Sequence, residues 1–431
     1  MRSFIMKRLN NQTENSSKTM KSLLSGYHKL IYLLVIAGMI GLIASCDSTS
    51  DTDRIPEIES VRYVHPDSAA AKQMDQVGPG EMFVIVGRNL TSTKRVFFNG
   101  IEASFNPTLV TDTHMVVRIP GDIPFGILDP NAPEMNTIRL VSDAGETIFN
   151  FPILPPAPEI ERVNKEFATA GETVRVTGRF LYLVESVTFP GGIQATDFSF
   201  AENGSWLTVT VPDGVTEAGH LNITTSSGTT EENYRNMFND RRGIFINFDD
   251  KNPWNPWGTP GVDTPYVGDD IPGIPPLDGN YLYWHYDDPL TPGMWWFQSL
   301  ATQFGTWAGT GMQMPDYPAD TPTSELVFRM EIFTPHDKFK SGFIQLSFDW
   351  WIEKDWNPFI VDGERKPLVT DGWETVTISM HDFHRGTQAT YGPMKNAGEF
   401  LLRYVNPGEP AGVAFEEVNI AFDNLRIVRK F

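Results

Sequence analysis

The chain has 431 residues, of which 40% are hydrophobic and 12% aromatic, with a formal charge of −20; this excludes an acidic disordered polymer and, at roughly 150 residues per domain, predicts about three domains. Its first 45 residues hold six Lys or Arg against one acid, so the remainder stands at −25. Such a surface repels phosphate backbones, anionic headgroups and acidic polysaccharides, so nucleic acid is not an expected partner and a neutral ligand is favoured.

Basic residues precede an apolar stretch, Leu30 to Ala44, which ends in small residues. Its 15 residues fall short of the roughly 20 that span a bilayer as a helix. The pattern predicts a signal peptide over 1–45, the alternative being an uncleaved anchor. Cys46 is the single cysteine, which excludes an intramolecular disulfide. The tetrad Ile43-Ala44-Ser45-Cys46 resembles the lipobox of bacterial lipoproteins, and the resemblance implies lipidation of Cys46. Residues 46–54 read as an acidic tether with no apolar residue before Ile55 to fold around. They resemble the surface-export signal of Bacteroidetes lipoproteins, which implies a lipid anchor in the outer membrane and an outward-facing protein; a plain periplasmic linker is the alternative.

An internal repeat follows. Gly80-Glu81, Gly87-Arg88, Val96, Phe98 and Gly100 recur at Gly171-Glu172, Gly178-Arg179, Val187, Phe189 and Gly191, all at an offset of 91. Pro56-Glu57-Ile58 matches Pro158-Glu159-Ile160 at 102, which localises an 11-residue insertion to His65–Val77. A period this long predicts two copies of one domain, over 55–154 and 155–242, joined by the proline-rich Pro152–Pro158. Met82–Val86 and Thr173–Thr177 are β-branched or apolar and lead into a glycine, as strands of a sandwich do. The order of these motifs resembles the IPT/TIG immunoglobulin-like family, which implies stacked spacer modules. Arg88 and Arg179 read as solvated turn residues.

From Gly243 to Phe431 the composition changes, with ten of the eleven tryptophans in this stretch. Gly243–Asp250, Leu326–Phe333, Phe343–Trp351, Trp373–Ser379 and Val418–Val428 alternate apolar and polar residues, predicting strands. Prolines and glycines crowd Pro253–Gly279, predicting long functional loops. The opening and closing strands resemble the jelly-roll fold of carbohydrate-binding modules. The predicted fold class is therefore all-β: two tandem immunoglobulin-like (IPT/TIG) sandwiches followed by a jelly-roll-like β-sandwich over 243–431. Asp249, Asp250 and Asp423 offer oxygen ligands for a structural calcium, but turn and surface roles are favoured. The histidines are scattered and no phosphate-cradling loop occurs, so no metal or cofactor is expected.

A pyranose presents a C–H face ringed by hydroxyls, which suits a flat exposed aromatic beside amides and carboxylates. In Phe343–Trp351, parity places Ile344, Leu346, Phe348 and Trp350 on a core face and Gln345, Ser347, Asp349 and Trp351 on the other. Trp254 and Trp257 sit in the proline-rich loop, Trp307 stands among glycines, and Trp373, which starts a strand, reads as core. In Asn280–Tyr286 parity sets Leu282, Trp284 and Tyr286 against Tyr281, Tyr283 and His285, and either set could be the exposed one; Trp295 and Trp296 point to opposite sides if extended. The candidate glycan-binding residues are Trp254, Trp257, Trp284, Tyr286, Trp296, Trp307, Gln345, Asp349, Trp351 and Trp356.

Lipidation motif, acidic tether, immunoglobulin-like repeats and a tryptophan-rich C-terminal β domain together resemble the surface glycan-binding proteins of Bacteroidetes polysaccharide-utilisation systems, most closely the xyloglucan-binding type. The resemblance implies non-catalytic capture of a neutral polysaccharide beside an outer-membrane glycan importer. Two other readings stand beside it. One is a structural or protein-binding module with its tryptophans in the core. The other is a glycoside hydrolase using Asp349, Glu353 or Asp355, which needs two carboxylates flanking a scissile bond.

Overall fold

The computed structural model describes residues 54–64, 74–251, 254–255, 266–286, 301–305, 312–335, 337, 342–361, 363–405 and 417–431. Cys46 and the segment before it, and most of the predicted insertion, lie outside them. The described chain is nearly all β, as expected, with one short helix, Gly392–Lys395. It divides into two compact units, one holding residues up to 122 with 133–153, the other holding 123–132 with 154–431.

In the first unit, Glu57–Tyr63, Met82–Arg88 and His114–Arg118 form one antiparallel sheet, and Ile101–Ala103, Arg95–Phe98, Thr137–Ser142 and Gly145–Asn150 form another. The repeated motif builds a like arrangement in the second unit, with one strand more: Glu159–Val163, Thr173–Arg179, Trp206–Thr210 and the added Phe198–Phe200 in one sheet, and Ile193–Gln194, Val184–Phe189, Asn222–Thr225 and Gly228–Thr229 in the other. The repeated glycine has a steric cause. A Cβ on Gly87 would lie 1.9 Å from the Glu57 carbonyl oxygen, and one on Gly178 would lie 2.0 Å from that of Glu159. Only glycine permits so close an approach where the first strand bulges, between Ile58 and Ser60 in one copy and Ile160 and Arg162 in the other. Arg88 and Arg179 each pair with exposed glutamates of that first strand, a solvated role as expected.

The C-terminal region of the second unit contains thirteen strands among the described residues: β1 (Ile244–Ile246), β2 (Trp254–Asn255), β3 (Tyr266–Gly268), β4 (Tyr281–Tyr286), β5 (Ala301–Gly305), β6 (Leu326–Phe333), β7 (Phe343–Phe348), β8 (Ile352–Trp356), β9 (Ile360–Val361), β10 (Glu364–Arg365), β11 (Glu374–Ser379), β12 (Glu399–Val405) and β13 (Val418–Arg429). Two antiparallel sheets face each other. The first runs β3-β4-β13-β6-β11, with β1 also on β13; the second runs β2-β5-β12-β7-β8. Between them lies a core in which Phe245, Phe328, Phe348 and Phe400 meet at ring separations of 4.9 to 6.3 Å.

Every residue of β6 is buried, although a strand with one face in water would alternate. Its even residues enter the inter-sheet core. On its other side Arg329 and Glu331 meet the second immunoglobulin-like module, while Phe333 packs on Trp373. Glu166 of that module, fully buried, pairs with Arg329 and, at 2.7 Å, with Arg426 of β13; Arg426 reaches Glu331 at 2.8 Å. Thr375 of β11 ties the set together: its hydroxyl donates to Glu331 at 2.7 Å and accepts from the Glu166 amide at 3.0 Å, while its own amide donates to the Asn164 carbonyl at 2.7 Å. Burial raises the Glu331 carboxyl above its ordinary range, against the pull of Arg426. The outer face around Arg329, Glu331 and Arg426 of the first sheet is thus the docking surface of the neighbouring module.

Removing one member of such a set leaves the others buried and uncompensated. Glu166→Ala is expected to destabilise the second unit by about 3–5 kcal/mol, read as a lowered unfolding midpoint in calorimetry of the full chain. An unchanged midpoint would show that the network carries no such weight.

Candidate functional site

The outer face of the second sheet is not engaged by the immunoglobulin-like module among the described residues. Opposed residues in antiparallel strands share a face, so the register puts Asp355, Gln345 and Arg403 in one row across β8, β7 and β12, and Glu353, Ser347 and Leu401 in the next. The first row is linked. Arg403 Nη2 donates to Gln345 Oε1 at 2.5 Å, and Gln345 Nε2 donates to Asp355 Oδ1 at 2.9 Å. Partial burial lowers the Arg403 pKa, while Glu353 and Asp355 act to raise it. Arg403 Nε and Ser347 Oγ, both shielded, find no hydrogen-bond partner among the described residues. Exposure grows from the centre, where Ser347 and Leu401 are buried, to the β8 edge, where Asp355 is open.

At one end of this edge the β7–β8 turn displays two indoles, with Trp350 41% and Trp351 51% exposed. Strand parity holds through Phe348, and Ile344, Leu346 and Phe348 are core as expected. It fails at Trp350, expected in the core, because Asp349 and Trp350 take left-handed φ values of 47° and 67° and turn the chain out of the sheet. That conformation costs roughly 1–2 kcal/mol for an ordinary residue and persists only where neighbours enforce it. Here Asp349 Oδ1 accepts from the amides of Gly398 (2.8 Å) and Glu399 (3.1 Å), and Trp350 Nε1 donates to Glu399 Oε2 at 2.6 Å. Asp349 is therefore a staple for the turn, with one carboxylate oxygen committed to backbone amides.

The structure puts Asp349 and Trp351 at the turn end of the β7–β8 pair, and Gln345, opposite Asp355, at its other end beside the pairing of Ile344 with Trp356. Trp356 is half-buried against the inter-sheet core, in register with Ile344. Trp284 corrects the expectation of a displayed ring. It is fully buried, edge-on to Phe422 at 4.9 Å, because Leu282 and Trp284 occupy the core-facing side of β4. Trp373 is core as expected, between Tyr281 and Phe333, with its Nε1 donating to the Pro275 carbonyl at 2.7 Å. Trp254 stands in register with Phe304 and Tyr286 with Val418, but the side chains of Trp254 and Tyr286 lie outside the described residues, as do Trp257, Trp296 and Trp307 entirely. Arg403 escaped the sequence reading. Its signal was available as a lone cation in the apolar run Glu399–Val405.

Asp423, considered above for calcium, is fully buried, with its Oδ1 accepting from the Asn424 amide at 2.7 Å. Burial, and then the charge of Asp278, raise its carboxyl well above the ordinary carboxylate range. A carboxyl whose pKa is raised by folding contributes stability below its unfolded pKa and loses it as pH climbs through the folded value. Asp423→Asn is therefore expected to raise the unfolding midpoint at neutral pH relative to the native chain and to flatten the decline from the ordinary carboxylate pKa upward. Thermal scans across that range check it, and parallel pH profiles for the two proteins would refute it.

Residues 238–429 match the family model described as surface glycan-binding protein B xyloglucan binding domain. An IPT/TIG domain-containing protein of Bacteroides ovatus is 32% identical over 218 residues, which are 47% of this chain and 43% of that relative, so the match spans less than half the relative's length. The crystal structure of the surface glycan-binding protein B of Prevotella bryantii is 17% identical, with a TM-score of 0.67 over 87% of this chain and 98% of that one, a likeness of fold. The corresponding protein from a complex xyloglucan utilization locus in Bacteroides uniformis is 22% identical over 87% of this chain and 99% of that one, with a TM-score of 0.47.

Proposed function

We propose that this chain is a non-catalytic surface protein that holds a neutral polysaccharide of the β-glucan, xyloglucan or mannan type, xyloglucan first among them, on the outer face of its second C-terminal sheet. One observation carries the reading: an indole held half in water by a strained turn at one end of β8, on the same sheet edge as a linked row of amide, guanidinium and carboxylate groups toward its other end. The indole offers a flat apolar surface to a sugar ring, and Gln345, Arg403 and Asp355 offer donors and acceptors to its hydroxyls. The match of this region to the xyloglucan-binding family supports the choice of ligand, and the charge of −25 beyond the first 45 residues disfavours an anionic glycan.

Of the three carboxylates that a hydrolase would draw on, Asp349 is committed to the turn and Asp355 is bonded to Gln345, which leaves Glu353, opposite Ser347, without a second uncommitted carboxylate among them. That arrangement supports binding over bond cleavage. The reading also includes lipidation of Cys46, an outer-membrane location facing outward, and delivery of captured glycan to an importer in the same membrane. The immunoglobulin-like modules would then set the binding face away from the lipid.

Trp351→Ala is expected to weaken binding of soluble xyloglucan about tenfold or more, as loss of an aromatic anchor does, without lowering the unfolding midpoint. Isothermal titration with the full chain measures it, and a parallel assay should find no new reducing ends. Wild-type affinity in the variant would remove Trp351 from the site; hydrolysis would overturn the non-catalytic reading.

A further inference from the structure

Where the two sheets of the C-terminal sandwich part, between edge strands β8 and β11, a cleft of about 480 Å³ opens against the second immunoglobulin-like module. Trp356 and Leu368 contribute to its apolar wall, while Glu161, Arg162 and Arg235 of the module, Arg329 of β6 and Glu374 of β11 bring three cations and two anions. A second cleft of about 580 Å³ adjoins it along Glu159–Glu161 and shares Glu161 and Arg235 as walls. The two form a furrow that leads from the end of β8 onto the module.

Arg235 stands where they meet. Its guanidinium lies 5.2 Å from the Tyr234 ring centroid, its side chain is exposed, and it forms no ion pair among the described residues. In a chain this acidic, an arginine held on an aromatic ring and left without a carboxylate is poised for another acceptor, and its planar fork suits paired hydroxyls. Arg162 spans the rim to Glu374 at 3.4 Å. With four arginines and four glutamates along its two clefts and one wall apolar and aromatic, the furrow fits an uncharged polyhydroxyl ligand better than an ionic one.

β8, an edge strand, runs from the Trp351 turn to Trp356, whose ring faces the inter-sheet side, so a ligand passes from one place to the other around that edge. Its five residues span roughly 16 Å, a distance that a polymer covers and a disaccharide does not. We infer that the furrow is a second contact for the same polysaccharide, so that the second immunoglobulin-like module takes part in binding as well as spacing. This inference rests on the glycan-binding reading above.

The test compares Arg235→Ala, Arg235→Glu and Trp351→Ala in the full chain, titrated with soluble xyloglucan and, as the short ligand, with cellobiose. Both Arg235 variants are expected to weaken polymer binding about three- to tenfold, as loss of one of two linked contacts does, and to leave the short ligand unaffected; Trp351→Ala should weaken both. Polymer binding at wild-type strength in both Arg235 variants would overturn the furrow alone, as would equal losses for polymer and short ligand. If Trp351→Ala binds normally while the Arg235 variants lose polymer, the furrow stands and the Trp351 site falls. A wild-type chain that binds neither ligand sinks both.

Discussion

Glu166 is the residue on which the arrangement of the second unit turns. It sits with Arg329, Glu331 and Arg426 in a site closed to water. Removing four charges from water is unfavourable by several kcal/mol per ion, and their attraction offsets this only when partners meet in good geometry. A module that slid or tilted would separate the pairs without rehydrating them. The network therefore acts less as glue than as a specification of one docking position, with Thr375 joining backbone and side chains of both partners.

That docking has a consequence for the rest of the domain. A sandwich has two outer faces, and the immunoglobulin-like module occupies the one built from β6, β11 and β13. Arg329 and Glu331, which alternation alone would assign to solvent, are buried for this reason. The face across β12, β7 and β8 carries the linked row of Asp355, Gln345 and Arg403. The same docking leaves an open seam between β8 and β11, so one constraint places both the proposed binding face and the furrow beside it.

The turn between β7 and β8 shows a second kind of constraint. Two consecutive residues with side chains occupy the left-handed region, held there by Gly398 and Glu399 of the neighbouring strand. Had the strand continued, Trp350 would have entered the core. The turn places both indoles at the surface, and the neighbouring strand that holds them also bears Arg403. Rigid aromatic anchors lose little conformational freedom on binding, which is what a strained, well-braced turn provides.

Much of this was legible in the sequence. The offset of 91 between glycine-bearing motifs announced two copies of one module, since a glycine required by a close backbone approach must recur wherever the approach does. Alternation identified the strands, and Trp373 at a strand start read as core. What alternation cannot tell is which of two faces meets the other sheet, where a strand ends, or what covers its outer side. Trp284 and Trp351 both sit in aromatic-rich stretches, yet one is sealed against Phe422 and the other stands half in water. Period-two patterning is a local property of the backbone and belongs to the sequence alone; burial depends on partners a hundred or more residues away, such as Glu166 on Arg426, and only the tertiary structure decides it.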